Sequence, residues 1–452
     1  MNIQFLGATQ TVTGSKYLLQ TPQMKVLIDC GLFQGYKDLR LRNWNPLPID
    51  PKTIDYVLLT HAHIDHSGYI PLLVKNGFHG KILCTEATHD LCKILLPDSG
   101  YLQEEESRYA NRKGFSKHHP SLPLYTKADA EISLHYFQTI AFDKPITLHE
   151  GFEASFHYAG HILGASSIRV VHEETSILFS GDLGRQQDPI MRAPEAPPTS
   201  DYLVTESTYG DRLHDPASPE KVMGEIINRT IKQGGTLLIP AFAVGRTQSL
   251  LYYIYQLKIK HEIPDIPIFV DSPMATNVTH LFARHAELHR LSPEQSADVC
   301  KVATYVRTVE ESIALSNKKM PMIIISASGM ATGGRVLHHI KNIAPDYRST
   351  ILFSGFQAGG TRGDRMIRGE KEVKMFGQMV PIRAEVIQLE NTSAHADYQE
   401  ILTWLSQTKK PFRRVFITHG EHEASKQLQI KIEQQFHWDC LVPAYLEIFE
   451  LK

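Results

Sequence analysis

His61-Ala62-His63-Ile64-Asp65-His66 places four potential metal ligands within six residues, and no other feature constrains the fold of this chain as much. The apolar run Tyr56-Val57-Leu58-Leu59 before it reads as a buried strand ending at Thr60. Tyr69-Ile70-Pro71-Leu72-Leu73-Val74 after it reads as the start of a helix. The cluster therefore falls on a strand-to-helix connection, where a rigid scaffold can aim side chains at one point. An extended His-x-His turns both rings to the same side, and imidazole with carboxylate is a suitable donor set for zinc. Asp65 and His66, turning back at the helix start, can reach a second ion. A polar loop with satisfied histidines accounts for one such residue but not for the cluster.

Other strand patterns end in single candidates. His161 follows Tyr158-Ala159-Gly160, Asp182 follows Phe179-Ser180-Gly181, His419 follows Ile417-Thr418, and Asp29 closes Val26-Leu27-Ile28. Each is weak alone, since a His or Asp at a strand end is commonly a loop residue. Together they describe a sheet edge that assembles one metal site.

A chain of 452 residues is long for one hydrophobic core, so two domains, or one carrying a large insertion, are expected. The first sixty residues read as strands with tight turns. Residues 87–140 are charged and helical in pattern, as solvated helix faces are. From about residue 207 short apolar runs alternate with helical segments (236–240, 266–271, 322–326, 350–354), the pattern of a largely parallel sheet covered on both faces. Strand, His loop and helix return near residue 384. The expected division is 1–206 and 384–452 for one domain, with 207–383 inserted.

The formal net charge of −2 makes any phosphate-binding surface a local patch rather than a broad basic face. Five scattered cysteines without a Cys-x-x-Cys pair argue against a disulfide framework and against a thiolate zinc site. The N-terminus lacks a signal-peptide pattern, and no apolar run approaches the ~20 residues that span a bilayer. A soluble, cytoplasmic protein is the expectation.

With these residues in order, the chain resembles the metallo-β-lactamase-fold nucleases of the β-CASP group, relatives of the cleavage and polyadenylation endonuclease and of ribonuclease J. The resemblance rests on Asp29, His61, His63, Asp65, His66, His161, Asp182, Glu206, His395 and His419. It extends to the phrases Glu206-Ser207-Thr208-Tyr209-Gly210-Asp211, 240–248 and 326–334, so it covers nearly the whole chain. It implies an α/β fold: a metallo-β-lactamase αββα sandwich with an inserted parallel-sheet β-CASP domain. It also implies two Zn2+ per chain, with Mn2+ compatible with the same N/O donors. One ion would be held by His61, His63 and His161, the other by Asp65, His66 and His419, with Asp182 bridging and Asp29 behind the ligands. The implied activity is hydrolysis of single-stranded RNA, endonucleolytic, 5′–3′ exonucleolytic or both, by a hydroxide shared between the metals. Asp65 and Asp182 would serve catalysis as well as binding. His395 would give a proton to the leaving ribose oxygen, oriented by Glu206. RNA is favoured over DNA because the DNA-repair branch lacks the His at position 419.

A cleft between the two α/β units could hold an extended polymer. The Gly/Ser turn 326–330, which precedes a helix, and the turn 355–363 are natural phosphate cradles. They nominate Ser328, Gly329, Thr332 and Arg362, with Arg246, as RNA phosphate ligands. No appended RNA-binding module or long extension is expected after His419, and homo-oligomers are compatible with this reading. Two alternatives stand beside it: a metallo-hydrolase of a small ester, lactone or thioester, and a non-catalytic RNA-processing scaffold. The insertion with Glu206 and His395 argues against the first, and the complete ligand set against the second.

Overall fold

The structure, a computed structural model, describes residues 1–114, 118–389 and 392–452. The chain divides into two units, Met1–Leu213 with His395–Lys452, and His214–Ala394. Among the described residues, the first unit holds two seven-stranded sheets. One runs Ile448–Glu450, Asn2–Phe5, Tyr17–Gln20, Lys25–Ile28, Tyr56–Leu58, Lys81–Thr85, Phe137–Ile140. The other runs Cys440–Leu441, Arg414–Ile417, Tyr202–Thr205, Thr175–Phe179, Ser166–His172, Phe152–Tyr158, Ile146–His149.

Alternation along the strands builds the layers. Ile177, Phe179, Tyr202, Val204 and Phe416 point inward, against Phe5, Tyr17, Val26, Ile28 and Leu58 of the facing sheet. Their neighbours Leu178, Leu203, Val415 and Ile417 point outward, under Ile401, Leu402 and Leu405 of the helix Tyr398–Leu405 and Leu428 and Ile432 of the helix His422–Phe436. Each large inner side chain removed from water contributes about 1.5–3 kcal/mol. On the first sheet, the helix Glu86–Lys113 packs against Lys81–Thr85 and Phe137–Ile140. That last strand lies within the segment expected to be helical. Phe-Gln-Thr-Ile at a sheet edge, with no buried residue, carries no strong apolar alternation to reveal it.

Among the described residues, the second unit has a six-stranded parallel sheet in the order Thr304–Tyr305, Ile268–Asp271, Met322–Ser326, Thr236–Pro240, Thr350–Ser354, Glu385–Leu389. Both faces are covered, which explains its uninterrupted apolar strands. Leu237, Ile239, Ile323 and Ile325 pack under the helices Pro219–Lys232 and Arg246–Ile259. Leu238, Ile324, Ile351 and Phe353 pack under Val336–Ile343 and the hairpin Glu372–Met375/Gln378–Pro381. The strand Glu385–Leu389, expected to belong to the first unit as part of 384–452, instead pairs with Thr350–Ser354 throughout, and the second unit runs to Ala394. Its apolar pattern suits either sheet, and the pairing decides.

Asp271 anchors the edge of this sheet. Its fully buried carboxylate accepts from His339 Nε2 at 2.6 Å, Arg335 Nη1 at 2.7 Å and Ser312 Oγ. Burial alone would raise its pKa, but these three donors outweigh burial and hold it below the usual carboxylate range. A depressed folded-state pKa means stabilisation that is present above the unfolded-state value and is lost as pH falls through the folded one. Asp271→Asn is expected to lower stability by about 3 kcal/mol at neutral pH, because it strands buried partners. In urea unfolding at a series of pH values, the gap to the parent should close on acidification; a pH-independent gap would show that charge is not the cause.

Candidate metal centre

All the nominated metal-site residues but two lie just beyond the C-terminal end of a strand of the first unit. Asp29 follows Lys25–Ile28, and His61 and His63 follow Tyr56–Leu58. His161, Asp182, Glu206 and His419 follow four strands of the second sheet. Asp65 and His66 lie on the short helix Ile64–Ser67. Parallel pairing of Thr175–Phe179, Tyr202–Thr205 and Arg414–Ile417 sets the ends of three of these strands side by side. Asp29 and His419 adopt left-handed backbone, with φ of +57° and +48°. This is a conformation that non-glycine residues hold only where the surroundings impose it. Hydrogen bonds do so here: Asp29 N donates to Leu58 O at 2.9 Å and His419 N to Ala8 O at 2.7 Å. Gly31 admits no side chain, since a Cβ would stand 1.5 Å from the Asp65 carbonyl oxygen.

The donor atoms converge in two groups. His63 Nδ1 lies 3.1 Å from His61 Nε2 and 3.2 Å from His161 Nε2, and Asp182 Oδ2 lies 3.4 and 3.5 Å from the same two nitrogens. Four donors around a zinc ion at ~2.0–2.1 Å stand roughly 3.3 Å apart, so the spacing fits. In the second group His66 Nε2 is 3.1 Å from His419 Nε2, which is 3.4 Å from Asp65 Oδ2. Asp182 Oδ1 is 3.2 Å from His66 Nε2 and, though buried, takes part in no hydrogen bond. Asp182 thus turns one oxygen to each group. Unprotonated ring nitrogens at such separations face each other lone pair to lone pair, an arrangement that a shared cation stabilises.

The protonation states agree. Burial pushes His61 and His161 down and takes His63 to about 3, so these rings offer lone pairs. Asp182, despite burial, is held far below the usual carboxylate range by the surrounding histidines, and Asp65 is held low by His419 and His66. Burial opposes charge on His66, but Asp182 and Asp29 outweigh it and raise the ring well above its usual value. The pocket calls for positive charge at that nitrogen.

Asp29 serves both groups from behind. Its Oδ2 stands 2.7 Å from His66 Nδ1 and accepts from Thr60 Oγ1 at 2.9 Å, while Oδ1 accepts from Thr60 N at 2.7 Å. Because Thr60 Oγ1 gives its proton to Asp29, it accepts from His61 Nδ1 at 3.1 Å, which leaves His61 Nε2 free to ligate. Thr208 Oγ1 plays the same part for His419 Nδ1 at 3.1 Å. Neither threonine stands out in the sequence reading. The only signal is adjacency: Thr60 precedes His61, and Thr208 lies in the phrase that begins at Glu206.

His395 belongs to neither donor group. Its Nδ1 stands 3.0 Å from Glu206 Oε2, and its ring centroid is 4.4 Å from that of His161. Its side chain is 18% exposed, against 2% or less for His61, His66 and His161. Burial would depress its pKa; Glu206 and Asp182 reverse this and raise it. Glu206 is fixed by Leu183 N at 2.6 Å. His395 does not cap the following helix, because Asp397 does so through a capping box with Glu400.

The nominated phosphate ligands gather in the second unit. Ser328, Gly329 and Thr332 lie on the turn after Met322–Ser326, and Arg246 begins the helix reached by the turn after Thr236–Pro240. These adjacent strands lead to helices on opposite faces of the sheet, the crevice where such sheets bind ligands. Arg362 donates from Nε to Lys374 O and from Nη1 to Ala331 O and Thr332 O, which braces the turn itself.

A two-sheet sandwich that delivers two clusters of imidazoles and carboxylates to one edge defines a metal-dependent hydrolase. Residues 11–218 match the Metallo-beta-lactamase superfamily, 247–366 the Beta-Casp domain, and 379–443 the Zn-dependent metallo-hydrolase RNA specificity domain. The chain is 36% identical over 431 residues to Ribonuclease TTHA0252 of Thermus thermophilus, covering 94% of both. It is 29% identical to Transcription termination factor FttA of Methanosarcina mazei, across the whole chain and 72% of that protein. A crystal structure of a protein of unknown function from Enterococcus faecalis shares the fold, with a TM-score of 0.53 over 99% of both chains at 13% identity. The chain belongs to the metallo-beta-lactamase superfamily, among the members that carry a Beta-Casp domain.

Asp29→Asn keeps the shape behind the ligands but removes the charge. It is expected to weaken metal binding roughly 10–100-fold in chelator competition, with unchanged circular dichroism. Parental affinity would relieve Asp29 of that role.

Proposed function

We propose that this protein is a zinc-dependent ribonuclease that hydrolyses phosphodiester bonds of single-stranded RNA, internally, from a 5′ end, or both. The observation that carries the reading is the Glu206–His395 pair beside the donor groups: a partly exposed histidine whose pKa Glu206 and Asp182 raise, which favours the form that can act as an acid. Hydrolysis of a small ester needs no such dedicated acid. The ribonuclease name of the Thermus relative and the RNA specificity match support RNA as the substrate.

Two ions per chain are the proposed complement, one held by His61, His63 and His161, the other by Asp65, His66 and His419, with Asp182 between them. Imidazole and carboxylate without thiolate favour zinc and remain compatible with manganese. Such ions lower the pKa of water towards neutrality and screen phosphate charge. The side chains do the rest. Asp29 and Thr60 hold the ligand rings in orientation, His395 gives its proton to the leaving ribose oxygen, and Glu206 keeps the ring aimed and protonated. In the second unit, the amides of the Ser328–Gly329–Thr332 turn and the Arg246 guanidinium are the proposed backbone contacts, with Arg362 acting through the turn. No described helix is long and apolar enough to cross a membrane. The five cysteines are free thiols, which fits the reducing cytoplasm.

The test is incubation of the purified protein with end-labelled RNA and matching DNA bearing 5′-hydroxyl or 5′-monophosphate ends. RNA cleavage is expected, and product lengths report the mode; inertness towards every RNA would overturn the reading. Asp182→Ala is expected to abolish cleavage in a folded protein. His395→Ala is expected to slow it by roughly 10²–10⁴-fold with full metal content by elemental analysis. Loss of one metal equivalent would make His395 a ligand instead.

A further inference from the structure

Beyond the loop that meets Asp65, the first unit exposes an aromatic and cationic surface that the metal chemistry leaves unexplained. The helix Lys37–Arg42 buries none of its six residues. Around it Tyr36 is 51% exposed, Trp44 56% and Tyr445 37%. The other two tryptophans are covered: Trp404 is buried, and Trp438 packs between Phe412 and Phe436. Large aromatic side chains left in water at both ends of one short exposed helix mark an interaction site rather than a core.

The surface is built rather than loose. The Arg42 guanidinium lies 4.3 Å from the Tyr445 ring centroid and 5.5 Å from that of Phe33. Phe33 is buried and seated on Gly14, where a Cβ would come within 2.5 Å of the ring. Its ring also carries the buried Lys16 ammonium at 4.6 Å, and that ammonium donates to Gly31 O. Asn43 clasps Phe33 by both backbone groups, Phe33 N to Oδ1 at 2.9 Å and Nδ2 to Phe33 O at 2.8 Å. Lys37, Arg40 and Arg42 stand against Asp38 on the helix, and no ion pair among the described residues engages the three cations.

We infer that Tyr36 and Trp44, with Lys37 and Arg40 beside them and the Arg42–Tyr445 stack as their support, form a stacking platform for single-stranded RNA on the metal-bearing unit. The inference rests on the ribonuclease reading and adds a binding surface to it. Aromatic faces take bases of any sequence, and the Lys37 and Arg40 cations on the same helix can take the phosphates between. Charge complementarity favours a nucleic acid over an apolar protein segment. The platform is tied to the centre. Gly31 abuts the Asp65 carbonyl, Leu32 N donates to Ile64 O at 3.0 Å, and Tyr36 follows Gly31 by five residues, at most about 18 Å of extended chain. A strand with one phosphate at the metal centre can thus lay a nearby base on Tyr36, and the exposed helix leads on from there to Trp44.

The test is steady-state cleavage of a long unstructured RNA by the metal-loaded full chain. Trp44→Ala and Tyr36→Ala should each raise KM by about tenfold, with the loss falling on KM rather than kcat. Trp44→Phe, which keeps an aromatic face, should restore KM to within about twofold, and Ile132→Ala, exposed elsewhere, should not move it. Parental KM in Trp44→Ala overturns the platform while leaving the ribonuclease reading intact. If Trp44→Ala instead changes the sedimentation of RNA-free protein at constant KM, the surface is a contact between copies. If the parent cleaves no RNA, the ribonuclease reading fails. The platform is then judged by anisotropy of labelled RNA, and equal binding by parent and Trp44→Ala overturns it.

Discussion

The Asp182 carboxylate is the interaction on which the site depends. It is almost wholly buried, with His61, His66 and His161 within 3.5 Å and His419 and His395 within 3.9 Å. A charge removed from water this completely persists only if its surroundings compensate it. Here the compensation comes from both sheets: His61 and His66 follow the first, His161 and His419 the second. Asp182 is also the one residue that turns an oxygen to each donor group. Closing the sandwich and assembling the centre are therefore a single requirement, which explains why strand ends, rather than flexible loops, carry the ligands.

Behind this lies a division of labour between ligand and support. Asp29 reaches one donor group directly through His66 and the other through Thr60 and His61. One carboxylate thus sets the ring orientation in both halves. Glu206 does a different task with the same chemistry. It faces a histidine outside the donor groups, where the result is a raised pKa instead of a directed lone pair.

Much of this is legible in the chain because metal donors are chemically rare at strand ends and the local pattern His-x-His-x-Asp-His is dense. The donor residues come together in the groups their order suggests. What the pattern hides is physical. Thr60 and Thr208 act through one hydroxyl each, and threonine in a strand is unremarkable in sequence. The strand Phe137–Ile140 lies at an edge where burial imposes no alternation. The strand Glu385–Leu389 has a pattern that fits either unit, and long-range pairing with Thr350–Ser354 settled its place. Arg362 looks like a free phosphate ligand, yet its guanidinium braces a turn, a fact that only distances reveal.

The point at which the chain re-enters the first unit has a topological consequence. His395 is the first residue after the inserted unit, and it is stitched at once to its surroundings. It forms a bridge with Gly184, Ala396 N donates to Leu183 O at 2.8 Å, and Asp397 bridges Tyr209. Glu206 stands just before the departure on the other side. His395 and Glu206 thus form the neck of a very long loop, whose closure cost grows only logarithmically with the length of the insert. Whatever holds that neck shut also holds the His395 ring against Glu206. The inserted unit can vary in size without disturbing that pair, so long as its two ends remain clasped.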